Sequence, residues 1–514
     1  MARKQRLVAV ILSVLMLMTI FGACKREEDM SSNTTGNPTT AAGEITQDTD
    51  SVNTGTEGTS TNEESGIITA KDKETPSTNK PKTTTKKPPN TSPTINDKVT
   101  IKQGSKRMDQ DLSFGGKTFT LTLGAAPDGI MQRRISAFEN KFKCKIDPKI
   151  IGYDDVLTKV AAKLASGKGY DILSLGGSLF PEAAIKNIYE PLDDAITTAD
   201  LYNKSKHTLG GFDEELSKSF AWNGKIYALS SRTGMFSPGV TLIYYNKKML
   251  NDVGAQDPYT LYKQGKWDWN ALKSIGEAVT DKTNGIYLSN VRFVRSTFVL
   301  ANDGLYVTGG NKPVQNLSDP KIERALKYVQ ELCTGNKAVI KTDDGASEPT
   351  GFFNGKYAMF MGADYNYNSN FEIGKNVKNS NAFGKNLDNL GIVPAPLGPD
   401  NKAKKNPTGW IQGTAAGKGS DKRAAVAWGK FVSYFNDPIK PEYVFSSDTQ
   451  NIIDDYKFGN LVFPNHGYTD GSNGAANYIT QMEFSISTGA DVTQSLTSMR
   501  DLITNCIKVT LSQQ

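Results

Sequence analysis

From Lys117 onward, apolar and polar positions alternate in two different periods. "KTFTLTLG" (Lys117–Gly124) alternates residue by residue and predicts a strand. In "PDGIMQRRISAFENKF", Met131, Ile135, Phe138 and Phe142 fall four, three and four apart, which gives a helix one apolar face. "KIDPKII" predicts a second strand. "DDVLTKVAAKLASG" predicts a helix, with Asp154 and Asp155 at its start, where negative charge suits the dipole, and Gly167 placed to end it. "YDILSLGG" (Tyr170–Gly177) predicts a third strand. Strand, helix, strand, helix, strand predicts a parallel sheet covered by helices. In such sheets ligands sit beyond the carboxyl ends of the strands. The loops "GAAPDG" and "LGGSLF" occupy those ends.

Further on, "WNGKIYAL" predicts a hairpin, with an Asn-Gly turn between Trp222 and the alternating Ile226–Leu229. "VTLIYYNKKMLNDVGA" (Val240–Ala255) predicts a strand that turns through Asn246 into a helix. "QGKWDWNALKS" (Gln264–Ser274) predicts a helix start near Ala271 that Asp268 or Asn270 can cap. Trp267 and Trp269 flank that cap. They are expected to be scaffold, one under the helix and the other nearer the surface. Trp428 lies on an apolar stripe with Phe431 and Phe435 and is expected in a core.

The amino-terminal quarter follows neither period. Arg3, Lys4 and Arg6 precede an apolar run from Leu7 to Phe21, and "FGAC" ends it at Cys24. The run is shorter than the roughly 20 residues of a transmembrane helix. It predicts a signal peptide over residues 1–23. The pattern resembles a bacterial lipobox, which makes Cys24 the lipidated first residue of the mature chain; Phe21 stands where leucine is usual. Residues 24–114 are rich in Thr, Ser, Pro and Lys and poor in aromatics. They cannot bury enough apolar area to offset their ordering entropy, so a disordered tether is expected. About 90 such residues span roughly 50 Å as a coil. The globular part is then 115–514.

Net charge is +6 over 514 residues, and many lysines sit in the tether. No stretch shows a basic stripe with interleaved aromatics, so no nucleic-acid partner is expected. Cys144, Cys333 and Cys506 allow at most one internal disulfide and match no metal-ligand spacing. His207 and His466 are the only histidines, and neither has a neighbouring ligand set. "GTAAGKGS" (Gly413–Ser420) has three residues between its glycines and Gly419 after Lys418, so it is not a phosphate loop. "DKTNG" (Asp281–Gly285) has Thr283 where an Asp or Asn calcium ligand is expected and no downstream Glu, so it reads as a turn.

The ordered set "ISAFENKFKCKI", "GYDILSLGGSLFPEAAIKNIYEPLDD", "WNGKIYALSS", "LIYYNKKMLNDVGAQDP", "GKWDWNALKSI", "FFNGKYAMFMGADY", "LGIVPAPLGPD" and "TGWIQGTAAGKGSDKRAAVAWGKFVSYF" closely resembles the family 1 extracellular solute-binding proteins of bacterial ABC importers. It covers about residues 117–440; the stretch after about 450 matches loosely. The resemblance implies an α/β, two-lobed periplasmic-binding-protein-like fold of type II. One lobe would take about 115–235 plus 405–435, the other about 236–404 plus 436–514. It implies a monomer without cofactors, lipid-anchored at the extracellular face of the cytoplasmic membrane. Such a protein closes on a carbohydrate, an oligosaccharide by preference, and hands it intact to ABC transporter permease subunits. It would not be an enzyme.

A sugar offers apolar C–H faces and a hydroxyl rim, so its site needs flat aromatics and short polar groups. "GADYNYN" supplies Asp364, Tyr365 and Tyr367; "TGWIQG" supplies Trp410. Asp128 at a helix start, Gly177 and Ser178 after the third strand, Trp222 in the hairpin, and Arg232 and Met235 complete the candidates. For Trp222 hairpin packing, and for Arg232 a surface ion pair, are the competing readings. The competing functions are a secreted glycan-processing hydrolase, which needs two carboxylates facing one sugar bond, a surface adhesin, and a binding protein for another small polar solute.

Overall fold

Hydrophobic alternation is realised as two sheets, each the centre of its own lobe. The computed structural model describes residues 112–514 apart from 153–155, 197–210, 292–294, 343–348, 369–370, 436, 439–440, 465–466 and 470–472. The leader, Cys24, the tether up to residue 111, Asp154, Asp155 and both histidines lie outside the described residues.

In the first lobe the strand order is Lys145–Ile150, Thr118–Leu123, Ile172–Gly176, Gln412–Gly417, Tyr189–Glu190. The first three run parallel, with Thr118 opposite Lys145 and Leu121 opposite Ile172, as the strand–helix alternation predicts. The helix Gly129–Phe142 buries Ile135, Phe138 and Phe142 on the sheet, and Met131 packs at its edge. Asp128 caps that helix, its carboxylate accepting from the Met131 N–H at 2.7 Å. Trp428, fully buried on the helix Lys422–Tyr434, meets Phe138 edge to face at 5.2 Å. The hairpin Ala221–Ile226 turns through Asn223 and Gly224, both at positive φ, the geometry an Asn-Gly turn supplies.

The second lobe is built around Gly239–Asn246, buried along its whole length. Its neighbours are the antiparallel strands Met359–Ala363 on one side, and Leu390–Pro394 and Asn406–Trp410 on the other. Asn246 ends the strand and caps the helix Lys247–Asp252 by accepting from the Met249 N–H. The loosely matching carboxyl terminus belongs here too. The helices Ala475–Ser487 and Val492–Leu511 bury Ile479, Met482, Ile486, Leu496 and Ile503 in the same core as the helix Pro320–Thr334.

Trp267 and Trp269 are both scaffold and both buried, so neither lies nearer the surface as the sequence suggested. Their indole N–H groups donate to the carbonyls of Pro394 and Pro396, and Trp269 stacks on Tyr328 at 4.4 Å. Asp268 is the cap, accepting from the Ala271 N–H.

The chain passes between the lobes at Gly234–Gly239, at Trp410–Gln412 and again between Tyr434 and Ser447. Asn406–Trp410 still pairs with the second-lobe strands, so the chain rejoins the first sheet at Gln412 rather than near residue 405.

Cys144, Cys333 and Cys506 are buried, and among the described residues no disulfide joins them. Burial pushes the Cys144 thiol up to about 11, so it stays protonated near neutrality. Because the thiolate is the reactive form, native protein at pH 8 should leave the Cys144 peptide unalkylated by iodoacetamide while the urea-unfolded chain alkylates it rapidly. Equal labelling rates in both states, read by peptide mass mapping, would contradict this burial.

Candidate functional site

A cleft of about 680 Å³ opens where the crossing segments leave the two sheets. Its first-lobe wall is the carboxyl end of the parallel strands, Thr122, Leu123, Ser174 and Gly176, continuing into Gly177 and Ser178. The crossings contribute Met235, Gly239, Trp410, Ile411 and Gln412. The second lobe contributes Asp364, Tyr365 and Lys457.

Local chemistry explains why these residues meet. Gly177 donates its N–H to the Ile411 carbonyl at 2.8 Å, and a Cβ at Gly177 would come within 2.7 Å of the Ile411 side chain. Only glycine lets the turn lie this close to the crossing strand. Gln412 ties three segments: its amide N–H donates to the Met235 carbonyl at 3.0 Å, and its amide oxygen accepts from Ser174 at 3.2 Å.

Trp410 and Tyr365 form an aromatic corner, their rings 6.0 Å apart at 68°. Trp410 is half-buried, and its indole Nε1 has no hydrogen-bond partner among the described residues. Tyr365 is 41% exposed, although it is a large ring set in a concave surface. Beside them Lys457, last residue of the helix Ser447–Lys457, pairs with Asp364 at 2.6 Å. The Asp364 carboxylate also accepts from the Val240 N–H at 3.3 Å.

The cleft thus gathers Gly177, Ser178, Met235, Asp364, Tyr365 and Trp410 from the sequence candidates, and four others lie elsewhere. Asp128 is exposed, and its carboxylate is engaged at the helix cap. Trp222 is buried in the hairpin packing. Tyr367 is buried against Phe445, stacked at 4.3 Å, because in the 3-10 turn Asp364–Tyr367 residues two apart point about 120° away from each other. Arg232 is 2% exposed, not the surface pair that was its competing reading. Its guanidinium binds Asp213 at 2.6 Å and Glu215 at 3.2 Å, and donates to the Lys457 and Gly459 carbonyls.

Sequence reasoning missed Gln412, Ser174, Gly239 and Lys457. Gln412 carried a usable signal, since it stands two residues beyond Trp410 on an extended crossing. Lys457 carried none, being one lysine at the end of a polar helix. Among the described residues no group of three or more His, Cys, Asp or Glu side chains could hold a metal ion, and no helix is long and apolar enough to cross a membrane.

Gly239 makes a sharp prediction. A Cβ there would sit 2.3 Å from the Trp410 Nε1, although the backbone does not demand glycine. Gly239→Ala should therefore displace the indole, changing tryptophan fluorescence and weakening solute binding about tenfold, or about 1.4 kcal/mol. Unchanged fluorescence and affinity would show that Gly239 does not position Trp410.

Residues 133–451 match the family described as bacterial extracellular solute-binding proteins. The chain belongs to that family. Its members bind solutes and are not enzymes. The diacetylchitobiose-binding protein DasA of Streptomyces coelicolor is 28% identical over 258 residues, 48% of this chain and 55% of DasA. The match therefore spans about half the length of that relative. An ABC substrate-binding protein of Listeria monocytogenes, solved with cycloalternan, superposes with a TM-score of 0.55 at 16% identity, over 76% of this chain and 99% of that one. UgpB of Mycobacterium tuberculosis, solved with glycerophosphocholine, gives 0.54 at 17% identity, over 76% and 98%. At such identities the likeness is one of fold, the two-lobed type II architecture.

Proposed function

We propose that this chain is the substrate-binding component of an ABC importer, held at the extracellular face of the cytoplasmic membrane through a lipid on Cys24, and that it captures an oligosaccharide between its lobes. The aromatic corner of Trp410 and Tyr365 beside the Asp364–Lys457 pair carries this reading. An apolar face of a pyranose ring needs the rings, and its hydroxyls need short polar groups. Gly177 and Ser178 supply the opposite wall, and Met235 lies on the crossing between the two lobes. Asp128, Trp222, Arg232 and Tyr367 lie outside the cleft and serve capping, packing and ion pairing instead of solute contact. A solute that contacts both lobes stabilises the closed arrangement through its differential contacts, and permease subunits read that shape.

DasA names the first compounds to try. Purified protein is heated with diacetylchitobiose, maltotriose and longer neutral glycans. A binder present at a hundred times its Kd adds about 2.7 kcal/mol to the folded state, which reads as a raised Tm. Released product would support the hydrolase instead. A Tm indifferent to every glycan would overturn the carbohydrate reading. Incorporation of labelled fatty acid, lost in Cys24→Ala, tests the anchor.

A further inference from the structure

The charges in the cleft carry a second consequence, which rests on the carbohydrate reading and narrows it. Among the described residues that line the cleft, Asp364 and Lys457 alone are ionisable apart from Tyr365, and they neutralise each other at 2.6 Å. Both are held from behind. The Asp364 carboxylate accepts from the Val240 N–H, and the Tyr244 hydroxyl donates to the Ala363 carbonyl at 2.9 Å, fixing the turn. The Lys457 carbonyl is gripped by Arg232 at 2.6 Å. Arg232 itself does not line the cleft, and its charge is already met by Asp213 and Glu215.

We infer that the Asp364–Lys457 pair is the specificity element of the cleft, reading adjacent hydroxyls of an uncharged sugar and rejecting sugars that carry a net charge. An ammonium has three donors and spends one on Asp364. The carboxylate oxygens keep lone pairs beyond those used by Lys457 and Val240. One hydroxyl of a vicinal diol accepts from Lys457 while its neighbour donates to Asp364, and no charge is left unpaired. A carboxylate on the solute must compete with Asp364 for Lys457, and an ammonium must compete with Lys457 for Asp364. Either substitution strands one protein charge in a partly dry site, which is strongly unfavourable.

The test is isothermal titration of the full chain with neutral diacetylchitobiose and maltotriose, anionic digalacturonate, and the cationic diamine from de-N-acetylated diacetylchitobiose. The wild type should bind a neutral probe at least thirtyfold more tightly than either charged one. Asp364→Asn frees Lys457 and should raise digalacturonate affinity at least tenfold relative to the neutral probe. Lys457→Met frees Asp364 and should do the same for the diamine. Folding of each variant is checked by circular dichroism, and the wild-type comparison stands even where a variant does not fold. Wild-type binding of a charged probe within threefold of the neutral one overturns the inference, as does an unchanged order of preference in both folded variants. Binding of no sugar, charged or neutral, overturns the carbohydrate reading itself and the inference with it.

Discussion

Trp410→Ala is expected to weaken carbohydrate binding more than tenfold and to leave the fold standing. The loss corresponds to more than about 1.4 kcal/mol. The indole lies at the crossing between the lobes, packed on Gly239 and set edge to face against Tyr365. It is therefore available to a sugar face in a way that a core ring is not. Its Nε1 has no partner among the described residues, so removing it strands no polar group there. The backbone on both sides is secured independently, by pairing with Gly239 before the crossing and with Gly176 after it. Trp428→Ala is the contrast, because that ring is fully buried and its loss should cost about 3–5 kcal/mol. Calorimetric affinity and Tm measured on the Trp410 variant separate the two roles. An unchanged affinity would remove Trp410 from the site; a collapsed Tm would make it core.

The contrast shows what sequence can and cannot reveal here. Elements were legible where a local rule acts alone. Asn246 and Asp268 cap because a side-chain oxygen reaches its own helix, and Asn223–Gly224 turns because both residues accept positive φ. The family resemblance supplied two lobes, which no local rule could. Membership of the cleft was only partly legible, because it depends on which residues distant in sequence face each other. Tyr365 and Tyr367 look alike in "GADYNYN", yet one faces the cleft and the other stacks on Phe445. Lys457 enters the site only because its helix ends against Arg232, a contact between residues more than two hundred positions apart. The rejoining of the first sheet at Gln412 depends on a register shift between Thr408 and Trp410, which is a property of pairing and not of composition.

Arg232→Met should destabilise the protein by about 3–5 kcal/mol, the cost of removing one partner from a buried ion pair. Arg232 is 2% exposed and Asp213 1%, so the carboxylate left behind has no access to water. The Lys457 and Gly459 carbonyls also lose their donor, and a helix end is left unsatisfied. Arg232→Lys should recover only part of the loss, since an ammonium cannot hold two carboxylates and two carbonyls in one plane. Adding Asp213→Asn to Arg232→Met should recover another part. Asparagine removes the stranded charge and still caps the helix Glu214–Lys218 through the Leu216 N–H. Urea midpoints of the four proteins measure these steps. If Arg232→Met falls within about 0.5 kcal/mol of the parent, it behaves like an ordinary surface change. The guanidinium then does not tie the first lobe to the helix that carries Lys457 into the cleft.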